Sequence, residues 1–243
     1  FRTQRRNGKG VKTQDDITSA VIRTNTIDSL MIFSNQGRMY RLLVNDIPVG
    51  TNTTKGQSVK SLIAMETSEE PAVIYSIYRD TDAKYVLFVT KNGIVKKTAL
   101  EEYVKTKKKT GIAAINLRDG DELAAVTLVK DEPLTLISKK GMCIKFNSME
   151  VSATSRTTTG VKGMALNEGD EVIAALPIRD SKDSLAVFVE GGLGKKFPLS
   201  ELINQKRGGK GIVCYKPSDQ TGDVAGAQLI SDEDTLLVCG LTN

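Results

Sequence analysis

Two series of glycines alternate along this chain, each recurring about every 50 residues, and a period of that size points to a propeller or a solenoid. The first series sits in a strand–turn–strand pattern with four full copies. They read Leu30-Met-Ile-Phe-Ser-Asn-Gln-Gly37-Arg-Met-Tyr-Arg41, Val86-Leu-Phe-Val-Thr-Lys-Asn-Gly93-Ile-Val-Lys-Lys97, Leu134-Thr-Leu-Ile-Ser-Lys-Lys-Gly141-Met-Cys-Ile-Lys145 and Leu185-Ala-Val-Phe-Val-Glu-Gly-Gly192-Leu-Gly-Lys-Lys196. Apolar, β-branched runs on either side of a turn that admits positive φ predict a hairpin in each. A basic residue stands four places after every anchor glycine, and each copy leaves through an acidic exit. A partial fifth copy begins at Leu236.

The second series is Gly10, Gly56, Gly111, Gly160 and Gly211, each closing a polar seven-residue loop. A short apolar strand follows, as in Ile112–Leu117 and Val161–Leu166. Next comes an acidic turn such as Asp119–Glu122 or Asn167–Glu171, and then a longer strand such as Leu123–Val129. Four short strands per period is the arithmetic of a propeller blade. The expectation is an all-β fold, a six-bladed β-propeller-like wheel of four-stranded blades, with residues 1–243 forming one domain whose first and last blades are incomplete. The best helical stretch is short, Leu199–Ile203, and Pro198 before it equally suits a strand end.

The loops carry the chemistry. The first reads Gln4-Arg-Arg-Asn-Gly-Lys-Gly10 and the last Gln205-Lys-Arg-Gly-Gly-Lys-Gly211, two near copies of one basic, glycine-rich heptapeptide. Glycine lets a backbone approach a phosphate chain closely, Arg offers a bidentate fork, and Lys a mobile point charge. Gln4, Arg5, Arg6, Lys9, the following Lys12, Gln205, Lys206, Arg207 and Lys210 are therefore expected to contact a phosphate chain such as that of DNA. The intervening loops add Lys55, then Lys105, Lys107, Lys108 and Lys109, then Arg156 and the following Lys162. Arg41, Lys96, Lys97, Lys145, Lys195 and Lys196, on strands read as outermost, are placed in the same set, although such lysines also serve to protect strand edges.

The heptapeptide resembles the box Q-R-R-G-G-K-G that marks the C-terminal DNA-wrapping domain of bacterial DNA gyrase A subunits. The first copy departs from it at Asn7 and the last at Lys206. The repeated strand–turn–strand pattern is similar as well, and the resemblance covers essentially the whole chain. It implies a six-bladed β-pinwheel that binds duplex DNA without sequence preference and bends it around a basic rim, supporting negative supercoiling. It implies as partners the gyrase A N-terminal cleavage core and the gyrase B subunit, in the cytoplasm and associated with the nucleoid. The isolated domain is expected to be a monomer and to need no cofactor. Topoisomerase IV A subunits carry a related wheel with a degenerate box, so that assignment stays open beside gyrase, which the near-intact first box favours.

Composition narrows the classes further. Lys plus Arg number 34 against 29 Asp plus Glu, a net charge of +5, so a polyanionic partner depends on placement rather than on bulk charge. Trp is absent and aromatics are 5% of the chain, which poorly supplies a stacking platform for single-stranded bases. No His is present, which removes Ser-His-Asp and Cys-His arrangements and any His-containing metal site. Gly208-Gly-Lys-Gly lacks the spacing of a phosphate-binding P-loop. Asp119 with Asp121 and Glu168 with Asp170 read as solvated turn pairs. Tyr40, Tyr75, Tyr78, Tyr85, Tyr103 and Tyr215 read as packing residues. The chain is expected to do no catalysis by itself. Cys143, Cys214 and Cys239 lie in apolar runs, an odd count that suits a reducing cytosol. No apolar run reaches membrane-spanning length. A propeller that binds protein through a patch around Tyr75, Tyr78 and Tyr85 remains the rival reading.

Overall fold

The computed structural model describes residues 22–51, 54–77, 81–106 and 110–231. The first repeat forms β1 (Ser29–Ser34), β2 (Arg38–Leu43) and β3 (Pro71–Ile77). The second forms β4 (Tyr85–Thr90), β5 (Ile94–Ala99), β6 (Ile112–Ala113) and β7 (Leu123–Val129). The third forms β8 (Pro133–Ser138), β9 (Met142–Asn147), β10 (Val161–Lys162) and β11 (Val172–Pro177). The fourth forms β12 (Ser184–Val189), β13 (Gly194–Pro198), β14 (Ile212–Val213) and β15 (Val224–Ile230). Among the described residues helix is confined to single turns, including Val59–Leu62, Glu101–Val104 and the 3-10 turns Ser148–Glu150 and Leu199–Glu201. The expected all-β fold holds, and the helical stretch at Leu199 shrinks to one 3-10 turn.

Each predicted hairpin forms, with its anchor glycine near φ +78° in the turn. The long strand of the same repeat then pairs with the hairpin's first strand: β3 with β1, β7 with β4, β11 with β8 and β15 with β12. The short strand does something the sequence did not announce. It crosses to the preceding hairpin, so β6 pairs with β2, β10 with β5 and β14 with β9. A four-stranded blade is thus completed by the repeat that follows it. The long strands β3, β7, β11 and β15 pack against one another in that order on the inner side of the wheel.

Hydrogen bonds at the anchor glycines hold this exchange in place. The carbonyl of Gly37 accepts the N–H groups of Ala114 and Ile115, that of Gly93 those of Gly163 and Met164, and that of Gly141 those of Cys214 and Tyr215. Glycine is required twice over at such a turn, for its positive φ and for the closeness of the incoming chain. A Cβ at Gly141 would lie 2.1 Å from the Tyr215 carbonyl oxygen.

The hairpin strands alternate their side chains between two inter-blade cores. On β4, Val86 and Phe88 join Met31, Phe33 and Met39 of the first blade, while Leu87 and Val89 join Leu134, Leu136 and Phe146 of the third. The period of two thus buries both faces, which is why the strand reads as a continuous apolar run. Phe33, Phe88 and Tyr103 meet with ring centroids 5.4 to 6.3 Å apart, contacts that add about 0.5–1.5 kcal/mol per pair beyond area burial. Cys143 and Cys214 are buried core residues between the third and fourth blades, as expected. Cys239 lies outside the described residues.

Two alanine substitutions separate the two roles of these glycines. Gly169 has φ +73° with open space around its Cα, so Gly169→Ala should cost the left-handed conformation alone, about 1–2 kcal/mol. Gly141→Ala adds the collision with Tyr215, and overpacking of that kind costs roughly a further 1–3 kcal/mol. Urea unfolding of the two variants should show the larger loss at Gly141; equal losses would mean that the crossing chain moves aside at little cost.

Candidate nucleic-acid interface

The strand exchange changes what the repeated basic residues do. The hairpin's second strand is not outermost, because the next repeat's short strand covers it, and its cations point into the joints between blades. Arg41 donates from Nη1 to the carbonyls of Val104 and Thr106, and from Nε and Nη2 to Ser29 Oγ. Lys97 Nζ donates to the Ser148 carbonyl at 3.1 Å and stands 3.6 Å from Asp131. Lys145 Nζ donates to the Leu199 carbonyl at 3.3 Å. In each case the acceptor lies just past the hairpin of the next blade. The same residues link by backbone as well, since the carbonyls of Lys97 and Lys145 accept from Thr154 N–H and Gln205 N–H.

Lys96 is the extreme case. It is 0% exposed, donates to Thr98 Oγ1 and the Ala114 carbonyl, and lies 5.0 Å from the Phe88 ring centroid. Burial pushes its pKa down to about 8. The expectation of DNA contact is therefore corrected for Lys96 and Lys97, whose ammonium groups are sealed inside the wheel. Arg41 and Lys145 are half-buried and committed to the next blade. Lys195 and Lys196, on β13, are exposed, and Lys195 sits over the rings of Phe197 and Tyr215.

Two of the seven-residue loops fall wholly within the described residues and can be compared position by position. In Thr154–Gly160 and Gln205–Gly211 the third residue is arginine, and in both it is turned back onto the protein. Arg207 N–H donates to Glu150 Oε2 at 3.1 Å, its Nε to the Glu150 carbonyl, and its Nη1 to the Lys162 carbonyl. Arg156 N–H donates to Glu102 Oε2 at 3.3 Å and its Nη1 to the Ala113 carbonyl. The closing glycine is also a packing residue: a Cβ at Gly211 would lie 2.2 Å from the Cys143 carbonyl oxygen, and at Gly160 2.5 Å from that of Val95.

What faces outward at the last loop is lysine. Lys206, Lys210 and Lys162 are exposed, and Gln205 is half-buried. Gly208 N–H donates to the Gly163 carbonyl and Gly209 accepts from Ala165 N–H, which lays the loop directly beside Lys162. With no side chains at 208 and 209, a phosphate can reach the backbone between these ammonium groups. Lys55 and Lys105 are exposed too, Lys105 in an ion pair with Glu101. Gln4, Arg5, Arg6, Lys9, Lys12, Lys107, Lys108 and Lys109 lie outside the described residues.

The acidic turn pairs are corrected in part. Asp119 and Glu168 are exposed, but Asp121 and Asp170 are buried. Asp121 Oδ1 accepts from the N–H groups of Asn92 and Glu122. Asp170 accepts from the N–H groups of Lys140 and Glu171 and from Ser138 Oγ. These carboxylates pin the hairpin turn to the inner strand. Sequence reasoning also missed Glu102 and Glu150 as loop partners, although a signal existed: Asp46, Glu102, Glu150 and Glu201 each stand nine places after an anchor glycine.

Among the described residues no group of three His, Cys, Asp or Glu is placed to hold a metal ion, and no helix is long and apolar enough to cross a membrane. Tyr40 and Tyr103 are buried in the core; Tyr40 donates to Glu69, and its pKa is raised to about 12 by burial and that carboxylate. Tyr75 and Tyr85 are half-buried, Tyr85 beneath the Lys97 ammonium, and Tyr78 lies outside the described residues.

The family model for the DNA gyrase C-terminal domain, beta-propeller, matches residues 1–19, 28–62, 84–130, 132–179 and 183–231. The chain is 34% identical over its full length to the DNA gyrase A protein of Lawsonia intracellularis and 36% identical over 98% of its length to that of Mycolicibacterium smegmatis. It spans 30% and 29% of those relatives. Among solved structures, a DNA gyrase A C-terminal domain superposes with a TM-score of 0.77 at 31% identity, over 93% of this chain and 75% of the other. The C-terminal domain of a DNA topoisomerase IV superposes with 0.75 at 30% identity, over 85% and 65%.

The buried Lys96 generates a pH signature. Its pKa falls from an ordinary 10.5 to about 8 on folding, so between those values the unfolded chain holds the extra proton and stability from this group rises with pH. Below about 8 both states are charged and the cost of burying the charge is fully present. In thermal melts, wild type should therefore gain on Lys96→Met as pH is raised from 8 to 10.5; a constant difference would mean that the buried amine keeps an ordinary pKa.

Proposed function

The chain belongs to the DNA gyrase C-terminal domain family, and on that footing we propose that it binds duplex DNA without sequence preference and bends it along the outer edge of the wheel. In the holoenzyme this would present a wrapped segment to the gyrase A N-terminal cleavage core, with the gyrase B subunit supplying the ATP-driven strand passage that yields negative supercoils. The domain itself supplies no catalytic group in this reading, needs no cofactor, and works at the nucleoid. The wheel has six blades in this reading, and four of their sheets fall within the described residues.

The observation that carries the reading is the last loop. Three exposed ammonium groups, Lys162, Lys206 and Lys210, surround a backbone stripped of side chains at Gly208 and Gly209. Smoothly bending a site of 20–30 base pairs by 40–90° costs on the order of 1–6 kcal/mol, so wrapping needs phosphate contacts spread over several blades. The exposed Lys55, Lys105, Lys162, Lys206 and Lys210, in or beside the loops of several repeats, meet that need as mobile point charges suited to phosphate. The near-intact box favours gyrase over topoisomerase IV as the parent enzyme.

Affinity for a relaxed duplex of about 40 base pairs, measured against salt, tests this. The log–log slope should be steep, and changing Lys162, Lys206 and Lys210 to Ala should flatten it by about 0.9 for each phosphate no longer neutralised. Lys97→Met should leave the slope unchanged while lowering the melting temperature. Absence of appreciable wild-type binding at low salt would refute the reading and favour a protein-binding propeller.

A further inference from the structure

Acidic side chains on a surface that binds DNA ordinarily oppose it, yet each repeat carries one nine residues after its anchor glycine. Two of these, Glu102 and Glu150, make the same contact on successive blades. Each takes the backbone N–H of the third loop residue of the following repeat, and each loop then sends its arginine to a carbonyl on the crossing strand. The two loops share only that arginine and the closing glycine; the flanking residues differ, with Ser155 and Thr159 in one where the other has Lys206 and Lys210. What both loops keep is the clasp.

We propose that Glu102 and Glu150 are positioning residues for DNA binding, each holding an arginine that fixes the loop rather than touching phosphate. This rests on the DNA-wrapping reading and adds a division of labour within it. Arg207 has its backbone N–H and two guanidinium nitrogens committed to Glu150 and to the Lys162 carbonyl. Closing that clasp sets Lys206 and Lys210 at a fixed spacing from Lys162. A loop with glycine at 208, 209 and 211 would otherwise sample many conformations, and ordering it on binding would consume affinity. Loop and crossing strand are further tied by Gly208 N–H to the Gly163 carbonyl and by Ala165 N–H to that of Gly209, so the arginine closes a contact that the backbone already aligns.

Bulk electrostatics and the clasp predict opposite signs, which makes the test sharp. Removing a negative charge beside bound DNA should tighten binding. On this proposal Glu150→Ala weakens binding to the 40-base-pair duplex by about tenfold, the size of losing one charge-assisted hydrogen bond, with the salt slope unchanged. Glu168→Ala, which removes an exposed turn charge, serves as the control and leaves binding equal or tighter. Arg207→Ala should weaken binding with the slope likewise intact, and the Glu150→Ala, Arg207→Ala double variant should be no worse than either single change. Equal or tighter binding by Glu150→Ala, or a slope lower by about one unit in Arg207→Ala, overturns the proposal. Trypsin cleavage after Lys206 and Lys210 without DNA supplies a readout that does not need binding. It should accelerate in Glu150→Ala, and in Glu150→Gln should the alanine variant fail to fold; unchanged cleavage refutes the clasp. Wild type that is protected from trypsin but binds no DNA at low salt refutes the wrapping reading and leaves the clasp as a purely structural device.

Discussion

The structure depends on one exchange: among the described residues, the carbonyls of three anchor glycines each receive two N–H groups from the repeat that follows. At Gly37, Gly93 and Gly141 this places a two-residue strand on the outside of the preceding blade. No repeat can complete its own sheet, so each joint couples two neighbours, and the wheel is held by nearest-neighbour terms in the manner of a repeat array. The inter-blade cores follow the same rule. Leu87 and Phe88 are consecutive on one strand and pack into different joints, so neither core forms without blades on both sides.

That exchange also explains which charges were legible in the sequence and which were not. The hairpins, their glycine turns and the alternation of two glycine series could be read directly, because strand period and turn chemistry are local properties. The destination of β6, β10 and β14 is not local. A stretch such as Val161-Lys162 looks like the start of a strand in its own repeat, and only the fold shows that it covers β5. The neighbouring blades close over the faces of β5, where Lys96 meets the Ala114 carbonyl and Lys97 the Ser148 carbonyl, and a basic residue recurring four places after glycine becomes a bolt between blades. The lysines of β13 are exposed, and among the described residues no further blade follows to receive them.

The acidic residues were misread for a related reason. Asp121 and Asp170 sit in sequence patterns typical of solvated turns, and their burial follows from hydrogen bonds to the neighbouring hairpin turn about thirty residues away in sequence. Two backbone N–H groups on one carboxylate offset part of the desolvation, and the charges of Lys91 beside Asp121 and Lys140 beside Asp170 add to it.

A basic wheel that bends DNA must be stiffer than the duplex it bends, or the cost of curvature would be met by the protein deforming instead. The joints supply that stiffness with the residues that composition alone would assign to the ligand: Arg41, Lys97 and Lys145 tie consecutive blades through buried or half-buried hydrogen bonds. On the proposed reading the cations thus divide into two populations, one that fixes the angle between blades and one that meets phosphate. On that reading a net charge of only +5 would suffice, because the inter-blade bolts would set the curvature and the exposed lysines would need only to follow it. Weak sequence preference would follow from the same division, since mobile lysines meet phosphate more readily than they read a base edge.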